Sequence, residues 1–222
     1  MHLPDWVEPV ARYMLETGLK ETLKMSALSV TGSAVIGILL GTLLTLPFLV
    51  VRAAIRLYIE IWRGLPIIVT IFFIFFALPT FDIRFSPFTA AAVGLALWGS
   101  AQVAEATRGA VESIPREQHE AASALGFGWA GAHAHVILPQ AFRRLLPPLV
   151  SLLVNVVQNT TLAAVIGVAE VLETANRSVE RLQLTPPSES HALSIYGGVL
   201  VVFFVISFPL TRLAAYLERR LV

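Results

Sequence analysis

The chain contains no cysteine in its 222 residues, which excludes disulfides, thiolate metal sites and cysteine-based catalysis. Charge is scarce as well. Only 14% of residues are Asp, Glu, Lys or Arg, where a soluble domain carries about 25%. No basic stripe runs through the sequence, and a formal net charge of +1 gives nucleic acid no electrostatic footing. A Gly-x-x-x-x-Gly-Lys-Ser/Thr phosphate loop is missing, so the chain does not hydrolyse ATP by that route. There is no internal repeat of the inverted kind common in secondary transporters. The start, Met1-His2-Leu3-Pro4-Asp5-Trp6, has neither the basic beginning nor the cleavage site of a secretory signal. The first apolar run is therefore expected to be retained.

What is present is apolar. Hydrophobic residues make up 56% of the chain and the mean hydropathy is +0.74, which fits lipid as the solvent. Five candidate spans follow from the runs: 20–46, 56–78, 88–107, 145 into the 160s, and 194–217. Each suffices to cross roughly 30 Å of hydrocarbon at about 1.5 Å per residue. Without water to satisfy the backbone they must be helices, because the alternation of barrel strands is lacking. Pro47, Pro79-Thr80 and Pro186-Pro187 mark ends and loops. The fold class read from this is an all-α membrane protein with about five transmembrane helices.

The basic residues orient it. Arg52 and Arg56 fall in the first connection, Arg108, Arg116, Arg143 and Arg144 in the third, and Arg212, Arg219 and Arg220 in the tail. The opposite side has Arg84 beside Asp82, and Arg177 and Arg181 among glutamates. The expectation is an N-terminus outside, a C-terminus in the cytoplasm and a cytoplasmic loop over 108–147. The whole chain, 1–222, then reads as one transmembrane domain that contains this loop.

The loop is the unusual part, since connections between spans are ordinarily short. Pro115 suits a first helical turn, and Glu117 and Glu120 complement the positive end of the helix dipole. Ala121, Ala122 and Ala124 form a small-residue surface that another backbone can approach. Gly126 and Gly128 break the helix, which is expected to resume from Trp129 and stop at Pro139. On these residues alone the loop reads equally as an amphipathic surface hairpin or as a handle for a partner on the water side.

The spacing Glu120-Ala121-Ala122, Gly126, Val136 and Leu138-Pro139 resembles the signature loop of membrane subunits in bacterial ATP-binding-cassette importers, with Val136 at a position usually isoleucine. Further residues resemble the polar amino acid uptake branch of that family. They include Gly18-Leu19 with Thr22-Leu23-Lys24, Glu60 with Arg63-Gly64-Leu65-Pro66, and Ala104-Glu105 with Arg108-Gly109. Ile137 to Ala141, Pro147-Pro148, and Thr160 to Ala163 before Ile166-Gly167 continue the pattern.

The resemblance implies a type I importer permease in the cytoplasmic (inner) membrane that is not itself an enzyme. Its implied partners are two ATPase subunits, a second permease subunit, identical or sister, and an extracytoplasmic solute-binding protein. The implied substrate is a polar amino acid or close analogue. ATP and Mg would sit on the partner ATPase, with no cofactor on this chain. Glu120, Ala121, Ala122 and Gly126 would be the docking and bending positions of the coupling helix.

Polar groups inside apolar runs need a reason, because a charge at mid-bilayer costs about 2.5–3.5 kcal/mol on insertion scales. Two roles are open for Glu105: an ion pair with Arg108 on the same helical face, or, with Gln102 one turn earlier, a contact to the substrate's amino group or a cationic side chain. Gln158, Asn159, Thr160 and Thr161 suggest a helix broken at membrane depth that presents N–H groups and hydroxyls to a carboxylate. Family members often carry Lys-Asp where this chain has Gln158-Asn159. Asn155 reads as interhelical glue. Glu60 and Arg63 read as a pair, or as Arg63 snorkelling to headgroups. Gly37 and Gly41 form a small-xxx-small packing pair. His133 and His135 point to different helical faces, and no further metal ligands accompany them. Two other classes stay open beside the importer: a secondary transporter or channel that uses Glu105 as an ion site, and a membrane scaffold whose loop docks a regulator.

Overall fold

A computed structural model of the chain describes residues 4–185 and 189–221. The Pro186-Pro187 turn expected from the sequence, and part of the N-terminal lead, lie outside the described residues. Within them every regular element is helical. We number the helices α1 Val7–Leu43, α2 Leu49–Gly64, α3 Ile67–Phe81, α4 Pro87–Glu112, α5 Arg116–Ala124, α6 Trp129–Ile166, α7 Val171–Leu184 and α8 Ala192–Leu221.

Among the described residues α1, α6 and α8 are each long and apolar enough to cross a membrane, and α2 with α3 qualifies only as a broken pair. Helix α4 has the length, 26 residues, but its C-terminal half carries Gln102, Glu105, Arg108 and Glu112.

The second expected span, 56–78, is not one helix. Leu65 and Pro66 are extended (ψ 137° and 133°), because proline lacks an N–H and drives its predecessor out of the helical region. Helix α2 is consequently an amphipathic segment carrying Arg52, Arg56, Glu60 and Arg63, and the uninterrupted apolar run is α3. Pro139 does not stop α6 either. A π-turn over His133–Ile137 precedes it, so the missing N–H falls where the ladder is already displaced. Pro147 and Pro148 also lie inside the helix.

The chain divides into two compact units. One comprises Met1–Val30, Pro66–Ala96 and Asn155–Phe208. Its core sets Met14 against Val171, Ala175 and Val179 of α7 and Ile195 and Val199 of α8. A Cβ on Gly18 would lie 2.9 Å from Val171 Cα, so glycine lets the π-turn of α1 touch α7 directly. Glu170 caps α7, accepting from Leu172 N at 2.9 Å and Glu173 N at 2.8 Å. It is completely buried, and that burial pushes its carboxyl up to about 7 against the pull of the two backbone N–H groups.

The other unit comprises Thr31–Leu65, Leu97–Val154 and Pro209–Val222. Here α1 and α4 approach through the expected glycine pair: a Cβ on Gly37 would sit 2.7 Å from Ser100 O, and one on Gly41 2.5 Å from Ala104 O. Tyr58 of α2 and Ser100 of α4 share a 2.7 Å hydrogen bond between hydroxyls. Val103 and Ala110 of α4 pack on Leu145 and Leu149 of α6.

Candidate functional site

The loop 108–147 lies wholly in the second unit. Helix α5 begins after Pro115 and ends in a glycine-terminated hydrogen-bond motif. Gly126 takes φ +84°, its N–H donates to Ser123 O at 3.0 Å, and Phe127 N–H donates to Ala122 O at 3.1 Å. This 5→2 and 6→1 pair satisfies carbonyls that the helix end leaves open, and it needs a left-handed residue that glycine supplies without strain. Helix α6 starts two residues later. The two arms are held together by Gln140 Nε2 donating to Gln118 Oε1 at 3.2 Å and by His119 edge-on to His133 at 5.7 Å, while His133 is itself steadied by stacking on Trp129 of its own helix at 3.9 Å. His133 is buried and His135 exposed. No group of three or more possible metal ligands occurs among the described residues.

The structure distinguishes the four expected loop positions. Glu120 is exposed and pairs with Arg116 at 3.0 Å. Ala121 is exposed, whereas Ala122 is 2% exposed and serves the packing of the hairpin itself. Gly126 makes the bend. Leu125 (78% exposed), Phe127 and Trp129 are large apolar side chains left exposed in this polar loop. Sequence reasoning passed over them, although three bulky apolar residues within five positions of a polar loop were a readable signal.

Glu105 sits at the centre of a charge network. Arg108 donates to it through Nη2 (2.6 Å, to Oε1) and Nε (3.2 Å, to Oε2) and through Nη1 to Glu112. The two-pronged contact is the strong form of an arginine–carboxylate bond. Arg63 of α2 lies 3.9 Å from Glu105 Oε1. Of the two readings open for Glu60 and Arg63, the pair does not form, because Arg63 reaches across to α4. The ion pair with Arg108, one of the two roles open for Glu105, is therefore present. Arg56, Ile59, Glu60, Arg63, Glu105 and Arg108 surround a cleft of about 260 Å³. Gln102, one turn before Glu105, is half-buried.

Gln158, Asn159, Thr160 and Thr161 belong to the first unit, and the broken helix expected there is not what forms. The α-helical part of α6 ends at Gln158 and continues as a 3-10 helix over Asn159–Ile166. Tightening to i→i+3 bonds keeps the N–H groups occupied, so no half-helix terminus is presented. The polar side chains turn back on the same helix: Thr160 Oγ1 donates to Val157 O at 2.7 Å, Thr161 Oγ1 to Gln158 O at 3.0 Å, and Asn159 Nδ2 to Asn155 O at 2.7 Å. Gln158 Nε2 reaches Ser207 Oγ of α8 at 3.4 Å. Gly167, at φ +82°, ends the segment.

Comparison with known proteins places these features. A family model described as "Binding-protein-dependent transport system inner membrane component" matches residues 33–222. The chain is 38% identical over 221 residues to the glutamine transport system permease protein GlnP of Escherichia coli (strain K12), covering 98% of this chain and 97% of that protein. It is 30% identical over 208 residues to the probable glutamine ABC transporter permease protein GlnM of Bacillus subtilis (strain 168), covering 94% and 93%. A crystal structure of an amino acid ABC transporter with histidines superposes with a TM-score of 0.85 at 27% identity, over 99% of this chain and 100% of that one. The inward-facing MetNI methionine ABC transporter shares the fold, with a TM-score of 0.75 at 21% identity over 97% and 99%.

Proposed function

The chain belongs to the family of binding-protein-dependent transport system inner membrane components, and from that premise we infer that it is the membrane-spanning subunit of an ATP-driven importer for a polar amino acid, glutamine foremost. The near full-length 38% identity to a glutamine permease carries this reading. It is a multi-pass protein of the inner membrane and acts as a transport subunit. Residues 1–222 work as one permease domain with 108–147 as its coupling loop. A second permease subunit, two ATPases that hold ATP and Mg, and an external binding protein complete the assembly.

In this reading Glu120 and Ala121 face the ATPase, Ala122 and Gly126 shape the bend, and Leu125, Phe127 and Trp129 supply the apolar contact. Their exposure in an otherwise polar loop supports that role. Burying one leucine stabilises a contact by about 1.5–3 kcal/mol, so Leu125→Asp is expected to weaken capture of the ATPase by about 10- to 100-fold. Pull-down of the ATPase from detergent extract measures this, and equal recovery with both proteins removes Leu125 from the interface. Gln102, Glu105, Gln158, Asn159, Thr160 and Thr161 are each proposed as substrate-contacting residues. Amide and hydroxyl groups at Gln158 to Thr161 suit a neutral polar side chain such as glutamine's.

Glu105→Ala is expected to cut uptake about tenfold. It should cost about 1 kcal/mol or less of stability, since the partially exposed pair is screened by water. Uptake rate and thermal midpoint, measured on one preparation, separate the two effects; an unchanged rate makes Glu105 purely structural. The whole reading is tested by reconstituting the chain with its ATPase and binding protein and following labelled glutamine. ATP-dependent accumulation is the expected result. No accumulation of any amino acid, or accumulation without ATP, overturns it.

A further inference from the structure

The cleft between α2 and α4 has a charge pattern that the coupling loop does not use. Along α2, Arg56, Glu60 and Arg63 follow at intervals of four and three, which sets plus, minus and plus on one helical face. Glu105 faces them from α4 but is already engaged by Arg108 through two hydrogen bonds. Arg63 only brushes it, at 3.9 Å, beyond hydrogen-bond range. Among the described residues Arg56 and Glu60 make no ion pair with each other, although their spacing allows one. The cleft thus holds spare guanidinium donors and a spare carboxylate side by side. Its volume of about 260 Å³ lies just below the roughly 300–1,000 Å³ of sites for drug-sized ligands, which suits a smaller solute.

Free α-amino acids carry both charges on one carbon. Resting on the importer reading above, we propose that the cleft lined by Arg56, Glu60, Arg63 and Glu105 is a binding site for the zwitterionic head of the amino acid, Arg63 taking the carboxylate and Glu60 the ammonium. The planar guanidinium fork matches a carboxylate. Arg108 keeps Glu105 neutralised, so the remaining lining, two arginines against one glutamate, carries a surplus positive charge. A cationic side chain is disfavoured there, and neutral or acidic substrates are preferred. This assigns the site a substrate class, and it gives Arg63 a role beyond snorkelling.

The test is direct binding of labelled L-glutamine to the assembled complex in phosphatidylcholine nanodiscs, without ATP and without the binding protein. Arg63→Gln and Glu60→Gln are each expected to weaken glutamine about 10- to 100-fold, as loss of a charge-assisted hydrogen bond does. Glutaminamide, which lacks the carboxylate, should bind wild type and Arg63→Gln alike. Glutaramate, which lacks the α-amino group, should be indifferent to Glu60→Gln. Lysine should bind at least about fivefold more weakly than glutamine. Glu60 is exposed, so its variant decides the matter even if Arg63→Gln assembles poorly. An affinity within twofold of wild type for Glu60→Gln, in a complex that still accumulates glutamine with ATP, overturns the site and leaves the importer reading standing, and the same result for Arg63→Gln does so independently. Loss of glutamine binding when phosphatidylglycerol is added would reassign the cleft to lipid headgroups and equally overturn it.

Discussion

Gly126→Val is expected to abolish most ATP-driven uptake, by tenfold or more, while the chain still inserts and its partner ATPase still hydrolyses nucleotide. The reason is local. Gly126 holds φ at +84°, a region that costs a residue with a side chain about 1–2 kcal/mol and a β-branched one more. A Cβ there would meet nothing within 4 Å, so the penalty is purely backbone strain. The loop relieves it by giving up the bonds from Gly126 N–H to Ser123 O and from Phe127 N–H to Ala122 O. Helix α5 and the apolar stretch, Leu125 to Trp129, then lose their fixed orientation. Gly126→Asn is the matched control, because asparagine tolerates the left-handed region, and it should retain most of the uptake. Uptake and ATP turnover measured together in proteoliposomes decide the point. Wild-type uptake in the valine variant would remove the bend from the coupling path.

The second large effect is on folding. Gly41→Val should nearly eliminate monodisperse protein extracted from membranes, and Gly37→Val should do much the same. A Cβ at Gly41 would lie 2.5 Å from both Ala104 O and Thr107 Cβ, and one at Gly37 2.5 Å from Val103 Cβ. Two of these atoms are side-chain carbons that begin at the backbone and one is a carbonyl oxygen, so none can swing aside. Only separation of α1 from α4 makes room, and overpacking of this kind costs about 1–3 kcal/mol or more. Gly64, whose Cβ would meet nothing within 4 Å, provides the contrast: Gly64→Ala should extract like wild type. Equal yields from Gly41→Val and Gly64→Ala would show that the two helices do not rely on this contact.

Which features were legible depended on the range of the forces that made them. The apolar runs named α1, α6 and α8 as spans because hydrocarbon demands internally bonded backbone along the segment. Gly126 announced the end of α5 because the left-handed turn is a property of one residue. Pro66 carried the break between α2 and α3 as plainly, but the apolar residues interspersed through α2 and the apolar run after it let 56–78 read as one span. Pro139 misled in the opposite direction: a π-turn upstream kept helical a stretch that local rules would have ended. At Gln158 to Thr161 polarity was read as a break, whereas hydroxyls returning to nearby carbonyls produced a tighter helix.

The amino-acid order alone therefore decided the solvent, the apolar segments, the long polar loop and its glycine bend, since each follows from residues close together along the chain. Only the tertiary structure decided that Arg63 meets Glu105 instead of Glu60, that Ala122 is buried while Leu125 is exposed, and that Gly37 and Gly41 press against α4. Those outcomes join residues distant in sequence. Their energies depend on which helix faces lie within a few ångströms of each other, which no local pattern encodes.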